Sequence, residues 1–426
     1  MNSENTRRKF LRLLAASPVL AVPGVFRGSL ESFLSTGEFT GGEIREFLEN
    51  PLERAASDDA PIASAEQAIN VMDFEPAARK AIPVAHFGYL ATGVDDDATV
   101  RINHEGYSKI QIRPRRLVDV SKLNTSVRIF GASWETPIVL APVSALKAFH
   151  PEGEIAVARA AKVKGHLQML STVGTSSIEE VTAARGTPVW QQLYPTNDWS
   201  VGRAIVKRAE AAGSPVIVLT LDLQDDSNRE TLRRAMRADT RPCKMCHAEG
   251  MSGYLRRKPM FDGLDVSRVT GLHAKDMNWD VVKRLRDTTT MKVVLKGIVT
   301  REDAQLAIEH GVDGIIVSNH GGRSEETLRP TIESLPEVLE GVAGKIPVLV
   351  DGGIRRGVDI FKALATGATA VCIGRPYAWG LGAFGQPGVE AVLAILRREL
   401  EAIMRQAGTP AIDRITRTFL AGGSSK

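Results

Sequence analysis

The sequence is poor in aromatic residues, in blocks of one charge and in long hydrophobic stretches. Only 5% of its 426 residues are aromatic, which argues against a platform on which single-stranded bases would stack. Its 54 Lys and Arg and 50 Asp and Glu are spread along the chain and give a net charge of +4. We therefore expect no nucleic-acid partner. A content of 43% hydrophobic and 24% charged residues is typical of a globular protein and excludes a disordered or fibrous chain.

The N-terminus lacks an apolar run long enough to cross a bilayer. The run Leu13–Phe26 covers 14 residues, whereas a spanning helix needs about 20. The pair Arg7 and Arg8 precedes it, in the outline of a twin-arginine export signal. We predict a twin-arginine signal segment over 1–27, which sends the protein to the periplasm or to a membrane surface, followed by a linker or arm over 28–70. A basic amphipathic N-terminal helix is the alternative.

Eight short apolar runs rich in β-branched residues alternate with stretches of helical periodicity. They cover residues 136–142, 167–171, 189–194, 216–222, 292–296, 314–318, 348–351 and 370–374. This alternation predicts an α/β fold, a (β/α)8 TIM barrel over 71–426, with a long excursion after strand 4 and an N-terminal extension. A doubly wound open sheet is the alternative.

Chemically useful residues lie at the C-terminal side of these runs. In a TIM barrel those positions converge on one mouth, where the active site is found. The residues are Pro142, Ser171, Gln192, Tyr194, Thr220, Asp222, Lys296, Ser318, His320, Asp351, Gly352, Gly353, Gly374 and Arg375.

Two of these strand ends predict acid–base and electrostatic chemistry. Lys296 closes an apolar run, and because Lys is rarely buried unpaired, we predict a fixed cation that faces a developing negative charge; a surface lysine is the alternative. His320 and Arg323 share a glycine-containing loop. The imidazole can exchange a proton near neutral pH and the guanidinium can hold a carboxylate at two points. Asp222 is a candidate to orient His320, and a histidine that caps a turn is the alternative.

The last two strands end in glycine–arginine loops. Gly353 and Arg355 follow one strand, and Gly374 and Arg375 follow the other. Glycine amides and arginines in these two loops are typical of the phosphate site of TIM barrels. The alternative is a pair of plain turns.

The three cysteines fall into two groups. Cys243, Cys246 and His247 lie in the excursion and match the pattern for covalent haem attachment. A local disulfide or metal site, or two plain thiols, are the alternatives. Cys372 lies in an apolar strand and is predicted to be a core residue. We assign no metal to the predicted catalytic and binding residues.

Between about residues 72 and 415 the chain resembles the FMN-dependent α-hydroxy acid dehydrogenase and oxidase family. The most specific stretch is 315–323, Ile-Ile-Val-Ser-Asn-His-Gly-Gly-Arg, supported by 294–297, 350–357 and 373–376. The resemblance implies an FMN-dependent enzyme that oxidises an L-2-hydroxy acid to the 2-oxo acid. It also implies transfer of electrons to oxygen, a quinone or a cytochrome, and a homo-oligomer, commonly a tetramer.

The same resemblance implies a role for each site residue. His320 would be the catalytic base with Asp222 as its partner, and Arg323 and Arg229 would grip the substrate carboxylate. Tyr89 and Tyr194 would hydrogen-bond the substrate. The flavin would contact Pro142, Ser171, Gln192, Thr220, Ser318 and Lys296, and its phosphate end Asp351, Gly353, Arg355, Gly374 and Arg375.

Three positions depart from the family pattern. Val143-Ser144 replace Thr followed by Ala or Gly, at a place that influences how oxygen reaches the flavin. Val173 replaces a Trp found in several oxidases, which changes the pocket, and Glu326 stands near where the family has Asp. The competing hypotheses are an FMN-barrel isomerase or non-redox flavin-binding protein, and an electron-relay protein with covalent haem.

Overall fold

The computed structural model describes residues 61–224, 226–241 and 250–422. The predicted export segment, most of the predicted linker and the Cys243, Cys246 and His247 motif lie outside the described residues. From Pro61 onward the chain forms one compact unit.

Eight parallel strands close into a barrel, which confirms the predicted TIM-barrel fold. A two-stranded antiparallel hairpin precedes them, with β1 at Val127–Ile129 and β2 at Ala132–Trp134. The barrel strands are β3 (Ile138–Leu140), β4 (Leu167–Leu170), β5 (Trp190–Leu193), β6 (Val216–Thr220), β7 (Lys292–Ile298), β8 (Gly314–Val317), β9 (Val348–Asp351) and β10 (Ala370–Ile373). Seven of the eight predicted runs contain a whole barrel strand, and β7 extends two residues beyond its predicted run 292–296. Strand β10 pairs with β3 to close the ring.

Helices cover the outside of the barrel and precede it in the chain. Before the barrel lie α1 (Phe74–Ala81), α2 (Val84–Ala91) and α3 (Ala98–Glu105). The later helices are α4 (Gly153–Lys164), α5 (Ile178–Arg185), α6 (Trp199–Ala211), α7 (Glu230–Ala238), α8 (Gly250–Leu255), α9 (Asp280–Thr288), α10 (Arg301–Glu309), α11 (Thr331–Val342), α12 (Gly357–Thr366) and α13 (Arg375–Ala407), which kinks at Phe384 and Gly385. The predicted excursion between β6 and β7 contains α7, α8 and α9.

Local sequence explains where these elements begin and end. Strands β3, β6, β8 and β9 consist almost entirely of Val, Ile and Leu because parallel barrel strands are buried on both faces, whereas β4 and β5 also contain buried Gln. Helix α5 begins at a capping box formed by Ser177 and Glu180 and ends at Gly186, which adopts the left-handed conformation. At the start of α10 the Thr300 hydroxyl accepts a hydrogen bond from the Asp303 amide.

The hairpin β1–β2 closes the barrel at the end opposite the predicted mouth. Ile129 is buried in the same apolar cluster as the inward-facing barrel residues. The Phe130 ring lies 5.5 Å from that of Trp190 and next to Gly314, and these are the first residues of β5 and β8. The sequence analysis did not predict this hairpin, since three-residue strands are too short to show a period of two.

Cys372 is buried in this inner cluster as a free thiol, as predicted. Burial raises the pKa of the thiol well above its ordinary value, with a further contribution from Asp351. Within the three described stretches, no helix is both long enough and apolar enough to span a membrane.

Candidate active site

A strained loop after β8 brings His320 against Asp222, which follows β6. His320, Gly321 and Gly322 have φ angles of 55°, 68° and 75°, and a left-handed backbone at a residue other than glycine is uncommon outside functional sites. The Ser318 hydroxyl accepts a hydrogen bond from the His320 amide at 3.0 Å. His320 Nδ1 lies 2.7 Å from Asp222 Oδ1, so the structure brings the predicted pair together.

The charges around this pair set its protonation. Burial raises the pKa of Asp222, but Lys296 and His320 outweigh it and leave the pKa well below the ordinary value. Burial, Lys296 and Arg323 lower the pKa of His320 below 6.5 despite the neighbouring Asp222. An ionised carboxylate can only accept a hydrogen bond. The imidazole is therefore neutral near pH 7 with its proton on Nδ1, and Nε2 is the basic nitrogen.

Lys296 lies within a network of three polar side chains at the end of β7. Its Nζ donates to Ser318 Oγ at 2.6 Å and lies 3.3 Å from Asp351 Oδ2 and 3.7 Å from Asp222 Oδ2. Burial lowers the pKa of Lys296, but Asp222 and Asp351 outweigh it and raise the pKa above its ordinary value. Lys296 is therefore a buried ammonium, as predicted, and the alternative of a surface lysine is wrong.

A bulge in β7 makes this arrangement possible. The register with β8 shifts between Lys296 and Ile298, and Gly297 between them has a φ of 108°. A Cβ atom at Gly297 would lie 2.8 Å from Asp222 Cβ. Only glycine allows both this backbone conformation and the close approach of Asp222.

Two arginines and two tyrosines form a second group at the same mouth. The guanidinium of Arg323 lies 4.4 Å from the centre of the Tyr89 ring and donates to the Tyr89 carbonyl. Arg229 Nη2 donates to the Arg323 carbonyl at 3.4 Å. Burial and the positive charge of the neighbouring Arg229 lower the pKa of Arg323 to about 10.

The pKa values of the two tyrosines shift in opposite directions. Burial raises the pKa of Tyr89, but Arg323 and Arg229 outweigh it and lower the pKa below its ordinary value. Burial raises the pKa of Tyr194 well above its ordinary value, and Asp222 adds to the rise. The structure therefore gathers the four predicted substrate contacts around a site that favours an anion.

The predicted flavin-ring residues line the ends of β3 to β6. Gln192 Nε2 donates to Thr220 Oγ1 at 3.0 Å, and Gln192 Oε1 accepts from the Thr172 amide at 3.0 Å. Ser171 Oγ lies 3.4 Å from Ser144 Oγ. The end of β3, before Pro142, is tied to α13 by the Tyr377 hydroxyl, which donates to the Ala141 carbonyl at 2.7 Å.

The predicted phosphate end lies where β9 and β10 finish. Arg355 is buried over the Trp379 ring at 4.8 Å, and burial lowers the pKa of Arg355 to about 10. Helix α13 begins after Gly374 with no side-chain cap, which leaves its N-terminal amides available to an anion. The Arg375 side chain instead donates to the carbonyls of Leu90, Thr92 and Gly321, so its guanidinium joins α2 to the His320 loop.

Asn103 on α3 connects the two loops of the mouth, and the sequence analysis missed it. Its side chain exchanges hydrogen bonds of 2.9 and 3.0 Å with Asn319, the residue before His320. A Cβ atom at Gly353, whose φ is 78°, would overlap the Asn103 carbonyl. Glu326 accepts hydrogen bonds from the Ala98 and Thr99 amides at the start of α3, so it anchors α3 to the His320 loop. An isolated Asn in a helix carried no signal of this position.

The described part of the mouth contains a further imidazole that the sequence analysis did not single out. His273 lies between α8 and α9, and its ring meets that of Tyr194 edge to face at 4.6 Å. It comes from an irregular stretch of the excursion without periodicity or a recognisable motif, so no sequence signal identified it.

The mouth of this TIM barrel combines a His–Asp pair, a buried Lys and two neighbouring arginines, which are groups suited to acid–base chemistry on an anion. The chain belongs to the FMN-dependent dehydrogenase family, a class of oxidoreductases, whose model matches residues 78–422. FMN is the cofactor of this family.

Curated relatives and solved structures agree with the assignment. The chain is 39% identical over 351 residues to glycolate oxidase 3 of Arabidopsis thaliana, which covers 82% of this chain and 95% of that protein. A solved mandelate oxidase is 37% identical with a TM-score of 0.73 and covers 82% of this chain and 97% of that one. A lactate oxidase structure from Pediococcus acidilactici is 34% identical with a TM-score of 0.74, over 82% and 93% of the two chains. The protein is thus an FMN-dependent oxidoreductase similar to 2-hydroxy acid oxidases.

The residues of the mouth fit FMN. Asp351 Oδ1 is buried without a partner among the described residues, and the flavin's hydroxylated side chain has donors for such an acceptor. The buried Arg355 and the uncapped start of α13 suit its phosphate, and the Lys296 ammonium suits a ring that gains negative charge.

Proposed function

We propose that the protein oxidises an L-2-hydroxy acid to the corresponding 2-oxo acid, with His320 as the base and Arg323 and Arg229 as the carboxylate clamp. The observation that carries this proposal is the 2.7 Å contact between His320 and Asp222 at the same barrel mouth as the partly buried pair Arg229 and Arg323. In the reaction R–CH(OH)–COO⁻ loses two electrons and two protons and becomes R–CO–COO⁻. FMN, when bound, supplies the two-electron acceptor.

Nε2 of His320 accepts a proton from the reacting carbon C2 or from its hydroxyl group. Its Nδ1–H is held by Asp222, so the ring keeps one tautomer and one orientation, and Asp222 stabilises the imidazolium that forms when Nε2 takes the proton. The low pKa of His320 keeps the base unprotonated near neutral pH.

Arg323 and Arg229 fix the substrate through its carboxylate. Two neighbouring guanidinium groups gain from an anion that both can reach. Tyr89 and Tyr194 complete this side of the pocket, and their hydroxyls orient the C1 carboxylate and the C2 hydroxyl. The same grip brings C2 close to His320.

Lys296 supplies a fixed positive charge where the two electrons arrive. Its two carboxylate neighbours, Asp222 and Asp351, keep it protonated, so its charge does not change with pH in the physiological range. Pro142, Ser171, Gln192, Thr220 and Ser318 would line the ring, with Asp351, Gly353, Arg355, Gly374 and the backbone of Arg375 toward the ribityl and phosphate groups.

The proposal extends to acceptor, assembly and location. Ser144 and Val173 alter the pocket relative to the family pattern, and export of a folded flavoprotein favours a respiratory acceptor, a quinone or a cytochrome, over oxygen. We propose a homo-oligomer in the periplasm. Replacing Arg7 and Arg8 by Lys should then retain the protein in the cytoplasm, and periplasmic recovery of that variant would contradict the export signal.

The experiment that tests the proposal is anaerobic titration of the FMN enzyme with short, long and aromatic 2-hydroxy acids. Bleaching of the flavin absorbance, followed by reoxidation with a quinone or with air, is expected. His320→Ala should bind FMN but lose flavin reduction by about 10²- to 10⁴-fold, whereas His310→Ala, at a ring stacked on Trp279 away from the mouth, should reduce normally. A flavin that stays yellow with every acid would favour an isomerase or a non-redox flavin-binding protein.

A further inference from the structure

The loop that carries His273 is built against the loop that carries Tyr194. The Thr196 amide donates to the Leu272 carbonyl at 2.8 Å and the Asn197 amide to the Gly271 carbonyl at 3.2 Å. Asn197 Oδ1 accepts from the Thr270 and Gly271 amides at 2.8 and 3.1 Å. These four hydrogen bonds fix the position of His273 relative to β5.

The His273 ring occupies a defined place at the mouth. It packs edge to face on Tyr194 with an angle of 74° between the rings. Asp222 and His320 are close enough to affect its titration electrostatically, and burial lowers the pKa of His273 to about 4. The ring is therefore uncharged near pH 7, with one nitrogen that donates and one that accepts.

The Nδ1 atom of His273 is buried and meets no hydrogen-bond partner in the described stretches of the chain. Buried polar atoms in proteins are satisfied in the great majority of cases. An unsatisfied atom beside Tyr194 and the His320–Asp222 pair is accordingly expected to find its partner in the bound substrate.

We propose that His273 is a specificity-determining residue that hydrogen-bonds a hydroxyl group on C3 of the substrate, so that the enzyme prefers short 2,3-dihydroxy acids. This inference rests on the proposed function. In that function Arg323 and Arg229 bind the C1 carboxylate, and His320 acts at C2. The next carbon, C3, and its substituent are then the part of the substrate that His273 can contact.

The charge of the site selects a hydroxyl over the other groups that C3 could carry. A second carboxylate would need its own cation, and an uncharged imidazole does not supply one. An alkyl or phenyl group would leave the buried Nδ1 unsatisfied, and a site that contains such a group rejects substrates without a polar partner for it.

The test compares two substrates of nearly equal size, 2,3-dihydroxypropanoate and 2-hydroxybutanoate, on the FMN enzyme and two variants. His273→Leu removes both ring nitrogens at similar volume, and His273→Asn retains a polar group near the Nδ1 position. We expect wild type to prefer the dihydroxy acid in kcat/KM. His273→Leu should lower kcat/KM for the dihydroxy acid by about tenfold or more, with little change for 2-hydroxybutanoate, and His273→Asn should restore part of the preference.

The outcomes separate the inference from the proposed function. If the wild-type flavin stays oxidised with every 2-hydroxy acid, the proposed function fails and the inference fails with it. If wild type reduces its flavin with longer or aromatic 2-hydroxy acids but with neither of these two, only the inference is overturned. If both acids reduce the flavin and the preference is the same in wild type and in His273→Leu, only the inference is overturned. Equal losses for both acids, or a loss of FMN content in both variants, would assign His273 a structural role and also overturn it.

Discussion

At the scale of single residues, the arginine clamp depends on shape as well as charge. Arg323 lies over the Tyr89 ring and beside Arg229, an arrangement that suits a planar guanidinium that can hold a carboxylate at two points. A Lys side chain keeps the charge but offers a single point.

We expect Arg323→Lys to raise KM for 2-hydroxy acids by about 10- to 100-fold, since a charge-assisted hydrogen bond contributes about 1.5–3 kcal/mol. Steady-state kinetics of flavin reduction would measure this. Arg329→Lys is the control and should leave KM near wild type. Arg329 follows Arg323 on the same loop, but its side chain pairs with Glu337 of α11. An unchanged KM in Arg323→Lys would remove Arg323 from the clamp.

The pH dependence of the reaction reports on the His320–Asp222 pair. A base works only when unprotonated, so kcat/KM should fall as the pH drops through the pKa of His320, which lies below its ordinary value of 6.5. Asp222→Asn removes the main influence that raises this pKa. The acid limb should then move to lower pH while the plateau falls by about 10²- to 10⁴-fold.

A pH profile of kcat/KM for wild type and Asp222→Asn would measure both effects. Asp313→Asn, at a carboxylate that pairs with Lys292 on the surface, should leave the acid limb where it is. A limb that moves to higher pH in Asp222→Asn would contradict the assignment of Asp222 as the partner of His320.

At the scale of loops and strands, Gly353 and Gly344 provide a matched pair. Both adopt a left-handed backbone, with φ of 78° and 74°, but a Cβ atom at Gly353 would overlap the Asn103 carbonyl, whereas one at Gly344 would meet nothing within 4 Å. Gly344→Ala should cost about 1–2 kcal/mol from backbone strain alone. Gly353→Ala should cost about 3 kcal/mol or more and should lose FMN. Denaturant unfolding and flavin content would measure the difference, and equal costs would contradict it.

The hairpin that closes the lower end of the barrel should matter for stability and not for substrate binding. Ile129→Ala deletes a side chain that is 2% exposed within the inner cluster, which should lower the free energy of unfolding by about 2–5 kcal/mol. Val127→Ala, on the same strand but partly exposed, should cost less. KM for the substrate should be unchanged in both, because the hairpin lies at the opposite end from His320; a raised KM would show that the two ends communicate.

The barrel strands were predictable from the sequence, whereas the hairpin β1–β2 and the contact of Glu326 with α3 were not. Most barrel strands are apolar runs buried on both faces, so their signal is strong and local. The hairpin consists of three-residue strands, and it closes the barrel because Phe130 packs beside Trp190 and Gly314. No local sequence pattern encodes these long-range contacts. Glu326 was noted as a departure in sequence, but that it anchors the start of α3 is a long-range contact that depends on the fold.

At the scale of the whole molecule, the site residues come from segments more than 200 residues apart, as Tyr89 and Arg323 do. Most were predictable because the strand ends of a barrel must meet at one mouth. His273 and Asn103 were not predictable, since they come from the irregular excursion and from a helix before the barrel. The Arg375 side chain also donates to the carbonyls of Leu90, Thr92 and Gly321, contacts that depend on where α2 and the His320 loop lie and that no local pattern shows.

FMN should stabilise the whole fold as well as supply chemistry. Burial without full compensation lowers the pKa of Arg355 to about 10 and that of Arg375 to about 9, so removal of an anionic ligand leaves repelling cations in the mouth. FMN at 100 times its Kd should add about 2.7 kcal/mol to the free energy of unfolding. Thermal unfolding with and without FMN would measure the gain, riboflavin without phosphate should give less, and equal stabilisation by both would contradict the phosphate site.

The position of Asn103 has a consequence for anyone who wishes to shorten or redesign this enzyme. Its side chain pairs with Asn319 and its carbonyl lies against Gly353. Helix α3, which precedes the first barrel strand in the chain, therefore holds the loops after β8 and β9 in place. A minimal scaffold that began at β3 would keep all eight strands and still be an incomplete catalyst. The smallest segment that contains the complete active site therefore includes α3 as well as the barrel.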